Sequence, residues 1–188
     1  MNTMLSGALE IISGPLKNLL DQLAGEKNEI WVKILNLMSR FKPEEILYRL
    51  MKKIDLIDLG VTPFNPYGWR VEEHTTGGLV EWNPGNVALY LSVSQSDGKS
   101  IVGRELRREL TGRPVFNANL LDYLHENPNL IPEEWKGQRI FFWGTIYSNA
   151  AGRLCVRCLV WDGARWRWNY EWLEGRLDSG SPAAMAAN

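Results

Sequence analysis

Hydrophobic and polar residues alternate most strictly between Arg165 and Trp172, with Trp166, Trp168, Tyr170 and Trp172 on one side and Arg165, Arg167, Asn169 and Glu171 on the other. A period of two predicts a strand with one dry and one wet face. Two further strands are expected before it, Arg139 to Tyr147 and Leu154 to Trp161, so the segment reads as a three-strand meander. Six of the nine tryptophans fall between Trp135 and Trp172. The meander therefore holds most of the large apolar area, and the rest of the fold is expected to pack around it.

The turn at Trp161-Asp162-Gly163 decides which face of the second strand joins the tryptophans, because a slip of one residue turns every side chain over. A two-residue Asp162-Gly163 turn places Arg157 among the rings. A three-residue loop, with Gly163 left-handed, instead aligns Leu154, Val156, Cys158 and Val160 with Trp166, Trp168 and Tyr170. The second register is preferred, since an unpaired buried guanidinium costs several kcal/mol and stacking on Trp168 recovers only about 1 to 2 of it. It leaves Cys155, Arg157, Leu159 and Trp161 on the outer face beside Arg165, Arg167, Asn169 and Glu171. The first strand is apolar on both sides. The length of the Ser148 to Gly152 loop leaves open whether Phe141, Trp143 and Tyr147 join that outer face.

Ahead of the meander the pattern changes twice. Leu5, Leu9, Ile12, Leu16, Leu19, Leu20 and Leu23 recur at helical spacing, with a break at Gly14-Pro15. A second helix is expected from Glu29 to Phe41, and a third opens at Lys42-Pro43-Glu44-Glu45, with proline and carboxylates in its first turn. Residues 1–59 thus read as a helical region. Residues 60–86 are a Pro- and Gly-rich connector, in which Trp69 to Val71 and Leu79 to Trp82 form a possible short strand pair. Val87 to Ser94 alternates as another strand, followed by helices from about Lys99 to Leu110 and from Asn117 to His125. The small residues of 175–188 are expected to form a mobile tail after the α+β domain of residues 87–174. The fold class expected is α+β: an antiparallel sheet of about four strands with the aromatic-rich meander, two short helices and an N-terminal helical region.

Charge and composition limit the functions open to such a fold. With 21 basic and 22 acidic residues among 188, there is no global field to attract nucleic acid or an acidic membrane, and any such binding needs a local patch. Two cysteines and the lack of an export signal point to a cytoplasmic protein. No apolar run reaches spanning length, so no membrane is expected. Cys155-Val156-Arg157-Cys158 has the spacing of a redox or zinc half-site, but on a strand residues three apart face opposite ways. His74 follows two glutamates in a Gly-rich stretch, and His125 sits at a helix end, where a cation is favoured. With no phosphate loop, nucleophile elbow or histidine pair, no catalytic residue, metal or cofactor is assigned.

Two short helices across a Gly-containing turn have helix-turn-helix spacing. The first carries Arg104, Arg107 and Arg108, but the second offers Asp122 and Glu126, which repel phosphates. The remaining candidate is the outer sheet face, with Arg157, Trp161, Arg165 and Arg167 and, depending on register, Trp143 and Tyr147. Left open, it would stack the bases of a single-stranded nucleic acid. Covered by the N-terminal helices, it would be core. The leading expectation is a non-catalytic interaction module that binds a protein partner or its own copy through the N-terminal helices or the aromatic face. Single-stranded nucleic-acid binding is the alternative.

The runs Val87 to Ser94 with Ser96-Asp97-Gly98-Lys99, Asn117 to Leu124, Leu130 to Lys136, Phe141 to Tyr147, Val156 to Leu159 and Pro182-Ala183-Ala184 resemble a group of small uncharacterised proteins from genomes of uncultivated bacteria. The resemblance covers roughly residues 86–187 and implies a bacterial origin. It implies no activity, cofactor or site residue.

Overall fold

The computed structural model describes residues 56–187. The helices expected before them lie outside the described residues. At its end, where the helical region was expected to run on to residue 59, Leu56–Asp58 is instead a strand, β1, which pairs antiparallel with β3 (Leu79–Glu81).

The meander is present as β6 (Arg139–Asn149), β7 (Leu154–Trp161) and β8 (Trp166–Trp172). It forms half of a six-stranded sheet in the order β4-β10-β6-β7-β8, where β4 is Val87–Tyr90 and β10 is Ala183–Ala186, and β2 (Trp69–His74) also pairs with β6. All of these pairs are antiparallel except the short β10–β6 contact. The strand pair expected within the connector does not form, because β2 pairs with β6 while β3 turns to β1. The expected mobile tail is corrected as well. Its small residues let β10 slot between β4 and β6, with Ala183 and Ala184 fully buried, and Arg176–Leu177 (β9) pairs with Ile101–Val102 (β5).

Two helices cover the two faces. α1 (Gly103–Glu109) buries Leu106, and Leu110 just beyond it, with Phe141, Trp143, Ile146, Val156 and Cys158. α2 (Ala118–Glu126), capped by the Asn117 side chain, buries Leu120, Leu121 and Leu124 with Ile140, Phe142, Leu159 and Trp166. β6 serves both cores by simple alternation, Ile140 and Phe142 to one and Phe141 and Trp143 to the other, and its register then shifts between Phe141 and Ile146. That shift puts Tyr147 with Cys155, Trp69 and Tyr170, on the opposite side from Trp143. Gly144 sits within it, where an added Cβ would lie 2.9 Å from the Asn117 backbone. Only glycine allows β6 and the start of α2 to approach this closely.

The preferred β7–β8 register is also corrected. Arg157 pairs with Tyr170, Leu159 with Trp168 and Trp161 with Trp166 across a four-residue loop, so Arg157 points among the rings. The carboxylate partner comes from α2. Asp122 accepts from both guanidinium Nη atoms of Arg157, at 2.7 and 3.2 Å, while Trp168 lies 4.5 Å and Phe64 5.3 Å from the same group. β8 ends the sheet, and two of its main-chain N–H groups are taken locally, Tyr170 by Asn169 Oδ1 and Trp172 by Glu171 Oε1. Side chains that bond their own strand in this way discourage a further strand from adding.

Candidate functional site

The six residues expected to form a binding face do not share one open surface. Arg157, Tyr147 and Trp143 are 1, 0 and 5 % exposed, and Trp143 faces away from the other two. Trp161 is half-buried, edge-on to Trp166, with Lys136 Nζ 4.0 Å above its ring. Arg165 and Arg167 are exposed at the β7–β8 turn. There Asp162 accepts from the Arg167 guanidinium and from the N–H groups of Arg165 and Ala164, which in that order hold its carboxyl well below the usual carboxylate range. The turn's own carboxylate therefore occupies Arg167.

Other chemical candidates are equally absorbed by the fold. Cys155 and Cys158 are free, buried and in different cores; burial pushes their thiols up to about 12 and about 11. His74 lies 2.9 Å from Thr145 Oγ1 and 3.5 Å from Asn117 Nδ2, meeting a hydroxyl and an amide rather than a carboxylate. Thr145 is itself fully buried and accepts from the Ala118 N–H, so the cluster fastens β2, β6 and α2 together. Among the described residues, no group of three His, Cys, Asp or Glu side chains is arranged to hold a metal.

Among the described residues a cleft of about 930 Å³ opens on the α1 side, lined by Arg104, Arg107, Arg108, Arg113 and Glu73 with Trp143. Its geometry follows from helix spacing. Leu106 and Leu110 turn one face of α1 into the core, which leaves Arg104, Arg107 and Arg108 on the other. The helix start is pinned by Gly103 N–H to Gly175 O at 3.0 Å and Arg104 N–H to Leu173 O at 2.9 Å. Past its end Gly112, at φ 77°, reverses the chain so that Arg113 folds back, its Nε donating to Glu109 O at 3.2 Å. The Arg113 guanidinium lies 4.4 Å from the centre of the Tyr90 ring. Tyr90 in turn donates to the Glu109 carboxylate, a bond that raises the phenol's pKa, and Ser92 donates to the same carboxylate at 2.8 Å.

The charges of the cleft are unevenly matched. Glu73 pairs with Arg107, and Glu174 pairs with Arg104. Arg108 is exposed and has no ion-pair partner among the described residues, and Arg113 is held by a carbonyl and a ring rather than a carboxylate. On the floor, the indole N–H of Trp143 is buried without an acceptor. Such a donor is rare in a folded protein. The guanidinium groups without a carboxylate partner, those of Arg108 and Arg113, can bind phosphate or carboxylate oxygens.

Sequence reasoning listed Arg104, Arg107 and Arg108 only as the outer face of a possible helix-turn-helix. The spacing was visible, but Arg113 and the Trp143 floor join them only through the Gly112 reversal and the docking of α1 on β6. In comparisons with known proteins, no family model matches the chain, and no curated protein or solved structure matches it either.

Proposed function

We propose that the protein is a non-catalytic interaction module whose contact surface is the arginine cleft and whose partner presents anionic groups. The observation that carries this reading is that two of the cleft's four arginines, Arg108 and Arg113, have no carboxylate partner among the described residues, while Arg104 and Arg107 pair with Glu174 and Glu73, in a chain of net charge −1. They form the local patch that a neutral protein needs in order to attract a polyanion. The sequence expectation of an interaction module is retained, and the surface is moved. The aromatic face is closed by α2 and by Phe64, and the N-terminal helices lie outside the described residues.

A direct test is titration of the full chain with inorganic tripolyphosphate, followed by tryptophan fluorescence at low and moderate salt. Trp143 on the cleft floor serves as the reporter. Saturable binding that weakens with salt and with Arg108→Ala plus Arg113→Ala is expected, because released counterions favour association at low salt. A flat titration at millimolar anion would remove the reading.

A further inference from the structure

β2 breaks its alternation at the point where it reaches the cleft. Trp69, Arg70 and Val71 pair with Asn149, Ser148 and Tyr147 of β6, but the register then shifts, so that Glu73 meets Ile146 and His74 meets Thr145, with Glu72 as the extra residue. Without that bulge Glu73 would lie opposite Thr145, on the side where Val71 packs with Tyr147. With it, Glu73 turns to the side of Ile146, which shares a core with Trp143, and its carboxylate meets Arg107 in the cleft. His74 takes the place beside Thr145. Bulges that re-aim a side chain in this way gather beside functional sites.

The two carboxylates that meet the cleft's arginines are held differently. Glu174 sits between two cations, paired with Arg104 and 3.9 Å from Arg153. Glu73 lines the cleft itself, its side chain is 57 % exposed, and Arg107 is its only ion-pair partner among the described residues. We infer that Glu73 is a built-in competitor for the cleft: its carboxylate occupies Arg107 in the free protein and yields that guanidinium to an incoming polyphosphate anion, which thereby gains a third arginine beside Arg108 and Arg113. The inference rests on the anion-binding reading and adds to it how the site is occupied between ligands. An exposed carboxylate–guanidinium pair is little more stable than its separated, hydrated partners, so the exchange is cheap. A multiply charged phosphate brings more charge and more acceptor oxygens than one carboxylate, and so prevails. If the pair were only a strap between β2 and α1, removing its charge would not tighten binding.

The test is calorimetric titration of the full chain with inorganic tripolyphosphate at low and moderate salt. Wild type is compared with Glu73→Gln, Glu72→Gln, Arg107→Ala and Arg107→Ala plus Glu73→Gln, each checked for cooperative thermal unfolding. Glu73→Gln is expected to bind roughly threefold to fivefold more tightly than wild type, a gain that shrinks with salt. Glu72→Gln removes the same charge one residue away, where the carboxylate accepts from Ser148 Oγ. It should change affinity by less than about twofold, and so should Glu73→Gln once Arg107 is gone, because nothing is left to compete for. If Glu73→Gln binds no more tightly than wild type, or Glu72→Gln gains as much, the competitor inference is overturned while the anion-binding reading stands. If neither wild type nor Glu73→Gln binds, both fail.

Discussion

Arg157 and Arg108 carry the same cation under opposite conditions. Arg157 is 1 % exposed, with Asp122 on its Nη atoms and the rings of Trp168 and Phe64 around it, whereas Arg108 stands in solvent beside a cleft with no ion-pair partner among the described residues. A buried guanidinium must have its partners supplied by the chain, because desolvation is otherwise too costly. Once supplied, those partners leave the charge unavailable to a ligand. Arg108 has surrendered nothing to the fold. The residues that stand out most by environment are therefore structural here, and the plainest surface arginine is the one left free to meet a ligand.

The largest effect expected from that contrast follows removal of Asp122. Asp122→Ala leaves Arg157 buried and unpaired and should cost about 3 kcal/mol in urea unfolding, while Arg157→Met with Asp122→Leu should recover much of the loss. A double variant as unstable as the single one would mean that the pair does more than neutralise charge.

Next in size is an alkaline loss centred on the strand that carries Arg157. Burial raises the Cys155 thiol from 9.0 to about 12, against the lowering influence of Arg157, and the Cys158 thiol to about 11. Both thiols stay protonated in the folded protein while those of the unfolded chain ionise. Their contribution is therefore complete below about pH 9 and is lost as pH rises toward the folded values, on the order of 1 kcal/mol for each thiol by pH 10. Cys155→Ala plus Cys158→Ala should be less stable at neutral pH yet show a shallower decline between pH 9 and 11. An equally steep decline in this variant would assign the alkaline loss to other groups.

Smaller still is the loss of one ring of the Arg157 cage. Phe64 is 53 % exposed, so Phe64→Ala should cost only about 1 kcal/mol by the same unfolding measurement. The smallest effect belongs to the open side: Arg108→Ala should change stability by less than about 0.5 kcal/mol. A larger loss would place Arg108 in the architecture and out of the binding surface.

The meander was legible because its signal is local. Strict alternation from Trp166 to Trp172, and the apolar runs before it, fixed three strands to within two residues. Register was not legible, because the preferred pairing turned on whether Arg157 has a carboxylate, and Asp122 lies 35 residues away on α2. β10 was missed for a related reason. Ala183–Ala186 has no alternation of its own, and only the space between β4 and β6 makes such small side chains a strand. The cleft was half visible, as three arginines at helical spacing without the floor or the fourth arginine that joins them in space.

The placement of β10 also shapes the order in which the protein can fold. β6, β7 and β8 pair with their neighbours in sequence and can form early. β4, by contrast, has β10 as its only strand partner among the described residues, about a hundred residues further along, and such non-local pairing is slow because the intervening loop must close first. Refolding should thus proceed in two stages, a rapid meander followed by a late, concerted closure of β4 and β10 that also brings Ala186 to Pro114 and Ala187 to Asn86. Until that closure the flank of β6 that receives Ala183 stands bare, so the molecule's most aggregation-prone moment comes just before its last strand is seated.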